Sequence, residues 1–469
     1  MGEGKTGKKS SRNTRKKITR KDIHKAASGS DGLPVLIKKL VRHIKEGDAE
    51  IKESAAAALM QISQMDHGSH AVELFEAKAV KPLVSLLVSG IATAQSNAAQ
   101  ALAGIMAHHP KHQAELVAVG GAVPLVQLLK TGSAKVQEEA ASALAALESD
   151  VSHQQEIIKA GVVPALVAVL KNGSVAAQAS AAQATANAAA YSHQAQRFIS
   201  KEGAIPLLLT LLGVGKAQRP AASALAKLSQ GNREIQAEIA ESGGIAALLP
   251  LLNGLDVEVQ VQAAAALEEI ARDNSETQSA IAKTGGIGPL LALLASRSGA
   301  AQSHGMAALA QLARNNRDNQ DAIARMGGVK PLVQLLESQG EDPDVLSCAA
   351  RAIMEISGSN PANQTAVVDN NGVFSLSNLM KGSKSDVVLA EVAGALWSLS
   401  ADPEISIAIA RAQTILPLVH LLGGGNARAT FHAAHALASL GLNNKDNQVQ
   451  ITQMLIDLLI NGAEVRSGG

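Results

Sequence analysis

The chain has 469 residues, 46% of them apolar but only 1% aromatic, and a formal net charge of +1. Its one cysteine, Cys348, excludes an internally disulfide-stapled secreted domain. No signal-peptide core follows the start and no uninterrupted run of about 18 apolar residues marks a membrane span, so the expected location is cytoplasmic and/or nuclear, with no integral membrane segment. The small net charge hides an asymmetry: residues 1–25 carry ten Lys or Arg against Glu3 and Asp22, a net +8 that leaves −7 for the rest.

Residues 1–30 are polar, rich in Gly, Ser and Lys, and lack an apolar period. They read as a disordered basic arm. From residue 31 one phrase keeps returning, as Gly-Gly-Ala-Val-Pro-Leu-Val-Gln-Leu-Leu at 120–129, Gly-Val-Val-Pro-Ala-Leu-Val-Ala-Val-Leu at 161–170 and Gly-Gly-Val-Lys-Pro-Leu-Val-Gln-Leu-Leu at 327–336. Its proline recurs at Pro34, Pro82, Pro124, Pro164, Pro206, Pro289, Pro331 and Pro417, and Ala247 and Ser375 replace it in two further copies. A period of about 42 residues held over ten copies marks a repeat array in which each unit packs on its neighbours.

Each unit divides into three helices. In the unit 108–149 a short helix over about Lys111–Val119 ends at Gly120-Gly121, glycine being suited to the left-handed turn that closes a helix. Pro124 then lies in the first turn of a second helix, with Leu125, Val126, Leu128 and Leu129 apolar. The third helix spans about Val136–Leu147, and its Val136, Ala140, Ala143, Leu144 and Leu147 recur at helical spacing. No segment alternates with period 2, so no sheet is expected. The first unit, 26–65, lacks a first helix. Asn447–Ile460 reads as an incomplete closing unit. The resulting organisation is an arm over 1–30, an array of about ten repeats plus a C-terminal cap over 31–462, and a flexible tail over 463–469.

An Asn/Asp/His-x-Gln first helix, a Gly-Gly-Ile/Val-x-Pro-Leu-Leu second and a Val/Ala-Gln-x-x-Ala-Ala-x-Ala-Leu third resemble the armadillo repeat over about residues 31–460. The resemblance implies an all-α, right-handed α-α superhelical solenoid. In it the third helices line a concave groove that binds an extended peptide or partner protein. In nuclear import adaptors of this family a Trp and an Asn four residues apart form a ladder along that groove. Here the Trp-equivalent positions are Ala57, Gln100, Ser142, Gln183, Ser223, Ala265, Ala307, Arg351, Gly394 and His435. The Asn-equivalent positions are Gln61, Gly104, Ala146, Asn187, Lys227, Glu269, Gln311, Glu355, Ser398 and Ser439. Trp is absent from the ladder and Asn occurs once. Trp397 falls three positions past Gly394 and reads as a packing residue.

The expected groove contacts are therefore Gln100, Gln183, Asn187 and Gln311 as amides that donate and accept, Lys227, Arg351 and His435 as bases, and Glu269 and Glu355 as acids. This is a mixed-charge surface without the uniform sign that selects a highly basic or acidic peptide. The arm residues Lys8, Lys9, Arg12, Arg15, Lys16, Lys17, Arg20 and Lys21 suit an acidic partner, nucleic acid or an anionic surface through one Coulombic attraction. A nuclear localisation signal, an autoinhibitory segment and a solubilising tail all remain open. Met1-Gly-Glu-Gly-Lys-Thr fits a loose myristoylation pattern at Gly2, with Glu3 unfavourable. Residues 2–9 do not make a phosphate loop, because Lys9 stands where Ser or Thr is required. His108, His109 and His112 lack a Cys or acidic partner for a metal, and Cys348 reads as a small buried hydrophobe. No catalytic motif appears, so the expected function is a non-enzymatic binding scaffold without cofactor or metal. The alternatives are a nuclear transport adaptor and a membrane-tethered scaffold.

Overall fold

The computed structural model describes residues 32–467, apart from 108, 148–150, 191, 338–341, 425 and 443. The basic arm and Gly2 lie outside them. All regular structure among the described residues is helical. Internal contacts divide the chain into two compact units, 1–187 and 188–469.

Unit 1 opens with Gly32–Glu46 and Ala49–Gln64, the second and third helices of the expected first repeat. The next full repeat but one shows the plan: Pro110–Ala118, Ala122–Thr131 and Ala134–Ala145. The first two of these helices bend by 78° at the Gly120-Gly121 turn. In unit 2 the same bend is 74° between Arg233–Glu241 and Gly244–Asn253, and 87° between Pro403–Arg411 and Ile415–Leu422. Successive third helices pack on one another, Ala49–Gln64 on Ala92–Met106 and then Ala134–Ala145 in unit 1. In unit 2 the run is Gln218–Ser229, Val257–Ala271, Gly299–Ala313, Pro343–Ser357, Asp386–Leu399 and Ala427–Gly441. The closing helix is Lys445–Ser467.

Where a bend carries a Gly-Gly pair, the two glycines meet separate requirements, shown at 327–328. Gly327 has φ +80°, the left-handed region that L side chains adopt only at a cost. A Cβ on Gly328 would stand 2.7 Å from Ile323 Cγ2 and 2.9 Å from Leu291 Cδ2, so the second glycine admits the close approach of the helices. Lys78, Asn371 and Gln413 occupy the left-handed position without being glycine (φ 58°, 63° and 61°).

Glutamines fasten the helices. At the start of the third helix, Gln178 Nε2 donates to Leu170 O at 2.8 Å, and Gln137 and Gln260 do the same to Leu129 O and Leu252 O at 3.0 Å. Each satisfies a carbonyl that the end of the second helix leaves without an intrahelical donor. A second set, on the first helices, joins neighbouring repeats. Gln236 Nε2 donates to Ser229 O at 3.3 Å and to Glu269 O at 2.9 Å, which ties two consecutive third helices. In four consecutive repeats of unit 2 the Asn that caps the first helix then donates to the preceding repeat's Gln: Asn232 to Gln196, Asn274 to Gln236, Asn316 to Gln278 and Asn360 to Gln320, at 3.2, 3.1, 3.5 and 3.2 Å. The Asn-x-x-x-Gln spacing thus builds a ladder between neighbouring repeats, buried at Asn232 and Asn360 and partly buried at Asn274 and Asn316.

Candidate binding site

The third helices of unit 2 and their C-terminal ends enclose a cleft of about 590 Å³. Its walls include Arg272, Gln311, Arg314, Arg351, Glu355, Trp397, Arg428 and Phe431. Three of the groove residues expected from sequence, Gln311, Arg351 and Glu355, come together here. Each is placed by helical spacing: Arg351 and Glu355 are four residues apart on Pro343–Ser357 and share a face.

The charges are arranged in depth. Glu391 is buried between two helices, and its two carboxylate oxygens each accept from a different guanidinium. Arg351 Nη2 reaches Oε1 at 3.1 Å and Arg428 Nη2 reaches Oε2 at 3.0 Å. Arg314 Nη1 lies 3.2 Å from Asp273 Oδ1. Arg272 is held by Glu268 at 2.7 Å and by Glu269 at 2.9 Å. Glu355 is half-buried and has no ion pair among the described residues. Burial pushes its carboxyl above the ordinary range, against the pull of Arg314, Arg351 and Arg428. Gln311 is buried, and its Oε1 has no hydrogen-bond partner among the described residues, nor does Arg351 Nε.

Aromatic rings form one side. Trp397 and Phe431 meet edge to face with centroids 6.0 Å apart, and His435 lies 4.8 Å from Trp397 and 4.2 Å from Phe431. Phe431 is exposed. Trp397 therefore packs, as expected, but also walls the cleft, which its reading as a packing residue alone did not include. Cys348 is half-buried rather than fully enclosed, and burial pushes its thiol up.

The remaining expected groove residues lie elsewhere. Lys227 is exposed on Gln218–Ser229. Glu269 is engaged with Arg272. Gln100, Gln183 and Asn187 belong to unit 1. There Gln183 Nε2 donates to Asn187 Oδ1 at 3.2 Å, and Asn187 Nδ2 donates to Ala145 O at 2.8 Å. Two glycines at ladder positions have a packing cause. A Cβ on Gly104 would meet the Ser63 side chain at 2.7 Å, and one on Gly394 would meet His432 Nδ1 at 2.8 Å.

Sequence reasoning missed Arg272, Arg314, Arg428 and Phe431. The signal for two of them was present. Arg272 and Arg314 stand seven residues past the Trp-equivalent Ala265 and Ala307, and Trp397 stands three past Gly394. Offsets of 3, 4 and 7 fall on one helical stripe, and only offset 4 was read.

Packed three-helix repeats with a polar cleft on their third helices define an α-solenoid of the kind that typically serves as a protein-interaction scaffold. The family model for the armadillo/beta-catenin-like repeat matches residues 109–146, 232–272 and 316–357, inside three of the units counted from sequence. An engineered protein solved by the Northeast Structural Genomics Consortium is 33% identical, with a TM-score of 0.74, over 87% of this chain and 99% of its own. A second engineered protein from the same consortium is 34% identical over 50% of this chain and 96% of its own, with a TM-score of 0.47. No curated protein sequence matches. The chain belongs to the armadillo repeat family. Among the described residues no single helix is long and apolar enough to cross a membrane.

Proposed function

We propose that the chain is a non-enzymatic scaffold that binds an extended segment of a partner protein on the third helices of unit 2. The observation that carries this reading is the cleft between Gln311, Arg351 and Trp397, where an amide oxygen and a guanidinium N–H lack partners beside an exposed aromatic ring. A buried polar group without a partner costs free energy. A peptide backbone supplies the N–H and C=O that Gln311 and Arg351 lack, and a side chain can cover Phe431.

A displayed pool of random linear peptides, selected on the immobilised full chain, tests the reading. Amide hydrogen exchange with a selected peptide bound should show protection on Pro343–Ser357, Asp386–Leu399 and Ala427–Gly441. No selectable peptide, or protection confined to the first helices, removes the reading. The import-adaptor alternative has no support from the ladder positions, and binding of a basic nuclear-signal peptide in the same assay would revive it.

A further inference from the structure

The depth of the charges in the cleft says more than their sum. The side chain of Glu391 is 2% exposed, whereas its partners Arg351 and Arg428 are 25% and 50% exposed, and Arg314 is 44% exposed. At Glu391 the acid stands behind and the guanidiniums stand in front, while Asp273, the 56% exposed partner of Arg314, lies outside the cleft walls. A guanidinium carries five N–H donors, and among the described residues Arg351, Arg428 and Arg314 each spend one on a carboxylate within the chain. Glu391 has divided its two oxygens between two cations. The front of the cleft is therefore rich in cationic donors and poor in acceptors. Among the described residues Glu355 is the one carboxylate on its walls, and it is recessed.

Beside these donors lies the Trp397–Phe431 pair, with Phe431 exposed. His435 already packs against both rings, yet Phe431 keeps an exposed surface on which a further aromatic side chain can make an offset contact. The complement of this surface is an anionic acceptor next to a large apolar side chain. A basic segment would bring its ammonium groups against outward-facing guanidiniums, which costs binding energy.

We propose that the cleft selects an acidic–aromatic segment of a partner protein: Asp or Glu carboxylates on the free N–H groups of Arg314, Arg351 and Arg428, with a neighbouring aromatic side chain against Trp397 and Phe431. This rests on the peptide-binding reading and gives that reading a sign of charge, which the third-helix sequence positions alone did not.

The probe is a short fluorescent peptide in which a phenylalanine is flanked by glutamates. Three counterparts carry lysine for glutamate, alanine for phenylalanine, or phosphoserine for glutamate. Anisotropy titrations use the full chain. The glutamate–phenylalanine peptide should bind on the order of tenfold or more tighter than the lysine and the alanine counterparts, and weaken as salt is raised. The Arg314→Gln/Arg428→Gln double variant changes two half-exposed side chains, and circular dichroism checks that it is folded. It should lose the preference for glutamate over lysine. Equal or tighter binding of the lysine peptide overturns the inference and leaves peptide binding intact. Tighter binding of the phosphoserine peptide by more than about tenfold moves the site to phosphopeptides and overturns the inference as stated. If none of the four binds while the random pool yields binders, the inference fails alone. If the pool also fails, the reading beneath it fails too.

Discussion

Asn360 is fully buried, yet every polar atom of its side chain has a partner. Oδ1 accepts from Asn363 N at 3.1 Å, which caps the helix Pro361–Asp369, and Nδ2 donates to Gln320 Oε1 at 3.2 Å and Asp321 Oδ1 at 2.8 Å. Alanine there removes the cap and strands a buried acceptor. The Asn360→Ala variant should lose about 2–3 kcal/mol, read from urea unfolding, with faster amide exchange across Pro361–Asp369. Glu355 gives a pH signature instead. Its folded value is raised above the ordinary 4.5 by burial, so the native state holds the proton more tightly than the unfolded chain. The resulting stability is full below about 4.5 and is lost as pH rises through the raised value. Glu355→Gln should therefore be more stable than the parent at neutral pH, and the advantage should vanish in acid. A urea midpoint that is independent of pH in both proteins would overturn this assignment.

At the scale of the helix, the bends between first and second helices test the division of labour within Gly-Gly. Gly328→Ala should cost about 1–3 kcal/mol, because Ile323 and Leu291 must give way. Gln413 occupies the left-handed position at the last bend, and Gln413→Gly should gain up to about 1 kcal/mol; thermal melts compare both with the parent. These bends were legible in the sequence. So were the three helices per unit, because the proline, the glycines and the Ala-Leu stripe recur at one pitch. The third helix begins at Ala134, two residues before the expected Val136, because an apolar period marks the buried face and leaves the exposed first turn unmarked. The cleft was half legible. Gln311, Arg351 and Glu355 fell out of the ladder positions, whereas Arg428 and Glu391 meet across different repeats, at a sequence separation of 37, and no local spacing announces that pairing.

For the chain as a whole, fastening differs between the two units. In unit 2 the Asn-to-Gln bonds run unbroken from Asn232 to Asn360. At the corresponding place in unit 1, His109 caps Pro110–Ala118 without a side-chain hydrogen bond. A repeat array unfolds as a sum of local stabilities and neighbour couplings, so the better-coupled run should open last. Urea unfolding followed by amide exchange should show Pro110–Ala118 and Val151–Lys159 losing protection before Arg233–Glu241, Ser275–Lys283 and Arg317–Arg325. A single transition in which all five helices exchange together would show instead that the ladder adds nothing to cooperativity.

The glutamine at the start of the third helix has one more implication. Its partner is a main-chain carbonyl eight residues back, at Leu87, Leu129, Leu170, Leu252 and Leu294 alike. A bond to the main chain reads no side chain, so it imposes no identity on the residue it grips. Substitution can sweep through the outer face of the second helix without obliging a matching change in the third helix of the same repeat. A tandem duplication of one 42-residue unit arrives with its own fastening already inside it. Within each repeat the interaction surface is free to diversify, because this one bond is indifferent to what the surface displays.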